Sequence, residues 1–476
     1  MSATAEAVVR RAALACSLAA AIAGCATVDP AARFAGVRDT VGQRLDQDIT
    51  WQRDTESSSA ARRAVSRLLA EGLTADEAVQ VALLGNRRLQ AQLEGLGIAQ
   101  ADLVEAGLLE NPVLSLTVYS GDPGSIVEGS IVQDLVSLLS LSVRKSIAGA
   151  QADRVTAQVA QAALQLAADV KAQYYAVLGG AQALELAQQV VVSTQAAAEL
   201  AGRQHQAGNL SRREQTIRQA FHAQAVLQAT QAQARRAAGR EKLNRLLGLS
   251  GEDSGWTLPA RLPGVPEALP PLEQVEATAM SQRLDLLAAK KEAEAAAQAL
   301  GLTRQLRYLS ALGIGVAYKR EPDGEKFYGP EIELGLPLFN QGQGRVARAE
   351  AEYRRSANHV EALAVEIRSE AREARDRLAA AHQSVRHLET VMLPLQQSTV
   401  DETLKFYNGM LVGVYDLLLA QQGQVQAARD YVAALESFWQ AWAELERALG
   451  GRVPLPPAPP AEPAPMPAPD ATDHEH

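Results

Sequence analysis

Two short segments late in the chain alternate with period two. Leu312, Ile314, Val316 and Tyr318 share one face, and Ala311, Gly313, Gly315 and Ala317 share the other. Ile332, Leu334, Leu336 and Leu338 then alternate with Glu331, Glu333, Gly335 and Pro337. The pattern predicts strands over 309–318 and 328–339, joined by a polar loop carrying Pro322, Asp323 and Gly324. Apolar residues on one face with small or charged ones on the other suit a strand that has lipid outside and water inside, which puts Glu331 and Glu333 on the lumen side. A weaker copy of this hairpin occurs earlier: Leu114, Leu116 and Val118 alternate with Ser115, Thr117 and Tyr119, a turn spans Gly121 to Gly124, and a second strand covers Ile126–Leu135. Tyr119, Tyr318, Phe327 and Tyr328 stand at strand ends, where they form either an aromatic girdle or ordinary hairpin packing.

Elsewhere the period is helical. Thr74 with Glu77 three residues on opens a helix that runs through Val79–Leu108 and stops at Asn111-Pro112, since proline cannot continue the ladder. From Leu141 to Gln206 there is no proline, and Val155, Val159, Ala162, Leu166, Val170, Tyr174 and Val177 recur at three- and four-residue steps. At about 1.5 Å per residue such a helix is roughly 100 Å long and must pack side by side with others. Ala207-Gly208-Asn209-Leu210 breaks it, and a shorter helix spans Ser211–Leu247. After a proline-rich linker the order returns: helix 272–307, hairpin, long helix 343–407, a break at Asn408-Gly409, and helix 414–449. Gly208 and Gly409 lie 201 residues apart, so the chain is internally duplicated. Pro394 is expected to kink the second long helix.

Composition narrows this picture. Only 4% of the 476 residues are aromatic, which fits layers of long helices better than a compact aromatic core. Arg10 and Arg11 precede the apolar run Ala12–Ala23, the order of a secretory signal. Its end, Ile22-Ala23-Gly24-Cys25, resembles a bacterial lipobox, which implies cleavage before Cys25 and lipidation of its thiol; an ordinary signal peptide with an incidental cysteine is the other reading. Ala26, rather than aspartate, at the next position implies passage to the outer membrane. The resulting boundaries are 1–24 signal peptide, 25–72 lipid-anchored segment, 73–250 first repeat, 251–271 linker, 272–451 second repeat and 452–476 a Pro-rich tail expected to be disordered. With Cys16 removed the chain keeps one cysteine and needs no disulfide.

Four strands cannot close a barrel, and open strand edges in lipid leave backbone groups unsatisfied. Copies of the chain must therefore complete it, and three copies give twelve strands. The expected fold is mainly α with a small β part: duplicated long helical hairpins forming a trimeric periplasmic barrel, and two β-hairpins per chain contributing to a shared outer-membrane β-barrel.

From about Leu73 to Gly451 the chain resembles the TolC-type outer-membrane efflux factors. The resemblance rests on Leu73-Thr74-Ala75-Asp76-Glu77-Ala78-Val79 with Asn111-Pro112, on Gly208-Asn209-Leu210-Ser211, on Arg283-Leu284-Asp285-Leu286, on Leu336-Pro337-Leu338-Phe339 with Gly342 and Gly344, and on Tyr407-Asn408-Gly409 with Ala420-Gln421. It implies a homotrimeric channel that takes substrate from an inner-membrane efflux pump through a periplasmic adaptor protein and has no energy source of its own. Leu284 stands where the family often has proline. The first hairpin ends in Leu138-Leu139-Ser140-Leu141 instead of Pro-Leu-Phe. At the periplasmic tip the family places two aspartates; here Asp416 fits the first position and Leu419 fills the second. Asp416 is thus the candidate gate residue, a carboxylate in a pore-narrowing ring or a solvated acid on a helix.

Other chemistry is sparse. The tail ends Asp473-His474-Glu475-His476, and His474 with His476 is a weak candidate for a transition metal. The remaining histidines are scattered along helices without catalytic partners, and no phosphate loop, zinc-protease motif or nucleophile elbow is present, so no enzyme activity and no cofactor are expected. A net charge of -9, with basic residues interspersed among acids, argues against nucleic acid as a partner. The expected function is passive conduction in a tripartite efflux system at the outer membrane. Heavy-metal cations are the first substrate class, since the stretch Gly329-Pro330 with Leu336 to Gly342 resembles the metal-efflux branch. Small organic toxicants or drugs are the alternative within the same architecture. A lipid-anchored periplasmic coiled-coil scaffold or adaptor without a pore is the rival from another class.

Overall fold

A computed structural model describes residues 27–70, 72–122, 124–309 and 311–453; Cys25, His474 and His476 lie outside them. The helices are α1 (Ala31–Leu45), α2 (Thr55–Ala70), α3 (Ala75–Gly85), α4 (Arg87–Ala106), α5 (Leu135–Gln206), α6 (Arg212–Leu247), α7 (Val275–Gln282), α8 (Leu284–Gln305), α9 (Gln343–His387), α10 (Leu393–Asn408) and α11 (Val414–Leu449). The strands are β1 (Val113–Ser120), β2 (Ser125–Asp134), β3 (Leu312–Arg320) and β4 (Lys326–Leu334). The chain divides into two compact units, one holding 93–156 and 288–358, the other 36–92, 157–287 and the residues from 359 onward. No helix among the described residues is long and apolar enough to cross a membrane.

In the first unit the two hairpins join into one antiparallel sheet of order β1-β2-β3-β4. The halves of the chain meet at β2 and β3, with Ser130 opposite Ala317 and Val132 opposite Gly315. The second hairpin sits closer to its loop than its alternation suggests. Gly324, at φ +91°, donates its amide to Glu321 O at 3.0 Å and Glu321 donates to Glu325 O, which ties the turn and brings Lys319, Arg320, Lys326 and Phe327 into the pairing. At the other end β4 stops at Leu334, before Pro337, so Leu336, Leu338 and Phe339 fall outside the strand expected to include them. Helix α5 begins six residues before Leu141. Asp134 caps it, its carboxylate accepting from the amides of Val136 at 2.8 Å and Ser137 at 3.2 Å.

In the second unit the expected single helices over 75–108 and 272–307 are each broken once. Asn86 leaves helical geometry at ψ 113° and its Oδ1 accepts from the amides of Arg88 and Leu89, so it ends α3 and caps α4. Its Nδ2 donates to Leu246 O at 2.8 Å. Arg283, at ψ 120°, makes the matching break between α7 and α8 and pairs with Asp285 and Glu370. A left-handed glycine lies against each break. A Cβ on Gly248, at φ +75°, would stand 2.6 Å from Gly85 O, and one on Gly450, at φ +78°, 3.3 Å from Gln282 O. Period counting sees neither break, because the apolar stripe continues through both.

The proline-rich stretch 251–271 is stapled to the helices. Trp256 Nε1 donates to Asn244 Oδ1 at 2.7 Å under the Arg240 guanidinium, Trp439 Nε1 donates to Pro263 O, and His382 Nε2 donates to Pro266 O at 2.8 Å. Trp439 in turn stacks on Tyr175 and meets Phe438 edge-on.

The repeat register is more exact than the Gly208–Gly409 spacing. The left-handed residues at the two turns are Gly208, φ +78°, and Met410, φ +56°, an offset of 202. The helix caps Ser211 and Gly413, and the C-caps Gly248 and Gly450, keep that value. Midway along the long helices it is 201 instead: buried Val170, Gln173, Val177 and Leu184 match buried Ala371, Ala374, Leu378 and Val385. The missing residue is found in one π-turn, Leu388–Met392, between α9 and α10. A π-turn takes in one extra residue without rotating the helix beyond it. Pro394 comes directly after, so the expected interruption is present as a bulge that also accommodates the proline.

Candidate functional site

The first candidate site is the sheet. Its register sorts most of the side chains, with Val113, Tyr119, Ile126, Val132 and Phe327 the large apolar residues on the polar face. One face carries Leu114, Leu116 and Val118 of β1, Val127 and Ile131 of β2, Ile314, Val316 and Tyr318 of β3, and Tyr328, Ile332 and Leu334 of β4. In the single chain all but the half-buried Val127 and Tyr318 are bare, with Leu116 69%, Val316 61% and Ile332 72% exposed. The other face carries Ser115 and Thr117, Glu128, Ser130 and Asp134, Gly313 and Gly315, Lys319, Glu331 and Glu333. There Ser115 and Ser130 share a hydrogen bond of 2.9 Å and Lys319 pairs with Glu128 and Glu321. Gly313 and Gly315 leave room for Val132, whose methyls occupy the place of their missing side chains.

Glu331 and Glu333 therefore lie on the polar face, as the alternation implied. The aromatic set divides. Tyr318 and Tyr328 lie on the apolar face, their rings 5.2 Å apart, with Arg320 and Lys326 beyond them. Tyr119 and Phe327 pair with Ile126 and Lys319 on the opposite face, so they take no part in an apolar-side girdle. Exposing a row of this length to water has no compensation within the chain, since each such side chain gains about 1.5–3 kcal/mol on leaving it.

The second candidate site is the pair of turns that end the long helices. After α5, Asn209 N donates to Gln204 O at 2.8 Å, and after α10, Leu411 N donates to Phe406 O at 2.9 Å, closing the same C-terminal cap twice. A helix start comes after each. Ser211 and Glu214 form a reciprocal capping box, and the Ser211 hydroxyl and amide hold the Glu214 carboxyl below its ordinary range. In the second turn Gly413 replaces the serine and Asp416 replaces the glutamate. Asp416 Oδ2 accepts from Gly413 N at 3.0 Å, so the candidate gate carboxylate is exposed and at the same time caps α11.

Sequence reasoning missed the contacts that tie the turns together. Tyr415 donates its hydroxyl to Gln204 Oε1 at 2.7 Å, and the Arg218 guanidinium lies 4.3 Å over its ring; burial pushes the phenol's pKa up. Higher on α11, Glu436 packs into the notch at Gly179, Gln440 donates to it, and burial raises its pKa. Arg429 gives Nη1 to Gln228 Oε1 at 3.3 Å, while its Nε and Nη2 are buried without a partner among the described residues. Only residue types separated by about 200 to 260 positions, in a known register, carry such signals. Among the described residues no group of histidine, cysteine, aspartate and glutamate is arranged to hold a metal ion.

No family model and no curated protein matches the sequence. Solved structures do. The outer-membrane channel OprN superposes with a TM-score of 0.67 at 16% identity, over 79% of this chain and 90% of that one. CusC, solved in work on folding and transmembrane channel formation, gives 0.64 at 16% over 81% and 94%. The open state of the Neisseria gonorrhoeae MtrE outer membrane channel gives 0.63 at 18% over 79% and 88%. The chain therefore has the fold of these outer-membrane channels.

Proposed function

We propose that the chain is a subunit of a TolC-type outer-membrane efflux channel that passively conducts substrate received from an inner-membrane pump through a periplasmic adaptor. The observation that carries this reading is the four-stranded sheet, bare and apolar on one face and largely polar on the other, with the outer edges of β1 and β4 unpaired among the described residues. Lipid is the environment that such a face fits, and further copies of the same sheet are what its edges require. Three copies closing twelve strands put Glu331 and Glu333 on the water side of the barrel. Cys25 supplies a lipid anchor in this reading, and Asp416 contributes to a carboxylate ring at the periplasmic end.

Heavy-metal cations are the substrate class that the sequence resemblance favours, with small organic toxicants as the alternative. Glu128, Asp134, Glu331 and Glu333 outnumber Lys319 on the polar face, which suits cations of either kind. A poreless scaffold has no use for the bare apolar face. Planar-bilayer recording of the purified protein tests the reading: a cation-preferring pore and a heat-modifiable oligomer are expected, and their joint absence sinks it. Asp416→Ala is expected to change cation block; an unaltered current–voltage curve reduces Asp416 to its capping role. Metal tolerance that is the same with and without the channel, beside a loss of tolerance to organic toxicants, moves the substrate to the second class.

A further inference from the structure

We infer that the groove beside the Asn86 break, between α4, α5 and α6, is a binding site for an organic anion, a carboxylate or similar group carried on an apolar body. The inference goes beyond the channel reading and does not require conduction.

The groove has a volume of about 580 Å³. Its floor is Leu89 of α4, Ala162 and Leu166 of α5 and Leu246 of α6, and the exposed side chains of Arg88, Lys242 and Arg245 stand around it. An apolar bed with a few charged groups to orient the ligand is the lining of a small-molecule site, and the volume is of the right size. No salt bridge among the described residues takes up Arg88, Lys242 or Arg245. Asp169 is the one acid of the groove, in the field of Lys242 and Arg447. Glu241, beside Lys242 on α6, accepts from Asn244 instead. Three cations thus face a single carboxylate.

The groove also opens away from the N-terminal helices. Gln90 is bonded to Gln52 N and Thr50 O, Lys171 pairs with Asp76, and Tyr174 donates to Leu73 O, so that layer lies on one side of α4 and α5. Arg88 and Gln92 stand about half a turn round α4 from Gln90, and Ala162 and Gln165 about half a turn round α5 from Lys171 and Tyr174.

The second repeat shows what the same place looks like when its charges are satisfied. At the offset of 202 set by the helix caps, Lys242 corresponds to Glu444 and Arg245 to Arg447. At 201, Gln165 and Asp169 correspond to Glu366 and Glu370. Counted from the matching breaks at Asn86 and Arg283, Arg88 corresponds to Asp285. That version is acidic and is neutralised from within, Arg283 pairing with Asp285 and Glu370, and Arg377 with Glu444. The first repeat carries cations where the second carries acids, and it supplies no such partners. The missing partner is an anion from outside the chain. The guanidinium forks of Arg88 and Arg245 suit a carboxylate, and the leucines of the floor take the rest of the ligand.

Fluorescence titration of the full-length protein in phosphatidylcholine nanodiscs with 2-naphthoate tests this, empty nanodiscs serving as the blank. The comparison probes are 2-naphthylmethylammonium, a cation on the same body, and inorganic sulfate, an anion without one. Saturable binding of naphthoate is expected, at least about tenfold tighter than that of either other probe. Arg88→Asp and Lys242→Glu, which bring in the second repeat's charges at exposed positions, should each weaken it by about tenfold or more, while Arg62→Glu, exposed on α2, leaves it unchanged. No binding of naphthoate, equal affinity for the two naphthyl probes, sulfate binding as tightly as naphthoate, or undiminished binding in the charge-reversed variants overturns the inference. So does a change in oligomer size on Lys242→Glu without any probe, read by light scattering, since the groove would then be a contact between copies. The titration needs no pore, so each of these failures leaves the channel reading standing. Absent conductance beside intact naphthoate binding sinks the channel reading alone.

Discussion

The two repeats use the same devices at the same offset, yet they fasten their tips unequally. In the first, α5 is one unbroken helix of 72 residues, its turn holds a glycine at φ +78°, and Ser211 and Glu214 cap the next helix reciprocally. In the second, the long helix is divided by a π-turn and Pro394, methionine sits in the left-handed position, and Gly413 offers no hydroxyl, so Asp416 caps alone. Each substitution removes local stabilisation: a left-handed non-glycine residue costs about 1–2 kcal/mol, and a serine N-cap replaced by glycine a few tenths. The second hairpin thus depends more on contacts beyond itself, Tyr415 on Gln204 and Arg218 above all. The duplicated scaffold is kept where the helices meet the stapled linker and relaxed at one of its two tips.

The sheet is where the repeats should behave alike. Leu116→Lys in the first and Val316→Lys in the second both place a charge on the bare face, at about 2–4 kcal/mol per copy near the middle of a bilayer. On the channel reading proposed above, loss of a heat-modifiable oligomer from outer-membrane fractions is expected for both, while Ser130→Lys on the opposite face retains it. A deletion separates the repeats. Removing Gln188 from α5 rotates everything beyond it by about 100° and should abolish folding. Removing Glu389, within the π-turn, together with Pro394→Ala restores regular helix and should leave far-ultraviolet circular dichroism and cooperative melting intact. Equal damage from the two deletions would refute the one-residue insertion.

Smaller effects test the notch. Gly179→Ala puts a methyl onto Glu436 and should cost about 1–3 kcal/mol, whereas its counterpart Ala380→Gly, on an exposed face, should cost about 0.5–1. Glu436→Gln has a pH signature. Burial raises the folded pKa of Glu436, so the stability it contributes is full below the ordinary carboxyl value of about 4.3 and is lost as pH rises through the folded value. The advantage in Tm of the glutamine variant should accordingly be small near pH 4 and grow toward pH 8; a gap independent of pH would mean that the carboxyl stays charged or solvated.

The period-two alternation of β3 and β4 and the uninterrupted helical period of 141–206 made the architecture legible, because both patterns are local and strongly one-sided. The residues on the polar face were legible from the same alternation. The breaks at Asn86 and Arg283 were not, since a single capping side chain interrupts the hydrogen bonds without disturbing the apolar stripe. Nor was Phe327, which lies outside the alternating residues and takes its face from the pairing with Lys319; Tyr119 already alternated away from Leu114, Leu116 and Val118. At the tip, Asp416 was singled out as a gate candidate from the family resemblance alone, but its hydrogen bond to Gly413 depends on the turn that precedes it. That turn looked like an Asn408-Gly409 break, and the left-handed residue proved to be the next one.

Met410 gives the finest test of the difference between the tips. It is 93% exposed and its side chain has no packing to lose, so the backbone conformation dominates the effect of replacing it. Met410→Gly relieves a left-handed strain of about 1–2 kcal/mol but returns about 0.5–1 through the greater freedom of glycine in the unfolded chain. A net gain of about 0.5–1 kcal/mol is expected, read as a shift in the urea midpoint with an unchanged slope. Gly208→Ala, in the better-fastened repeat, should move the midpoint the other way by about 1 kcal/mol. If Met410→Gly instead destabilises, the exposed methionine is making a contact that the single chain does not provide. The second tip would then be held from outside, by an oligomeric neighbour or a partner protein, and repeating the measurement across protein concentrations would separate those two.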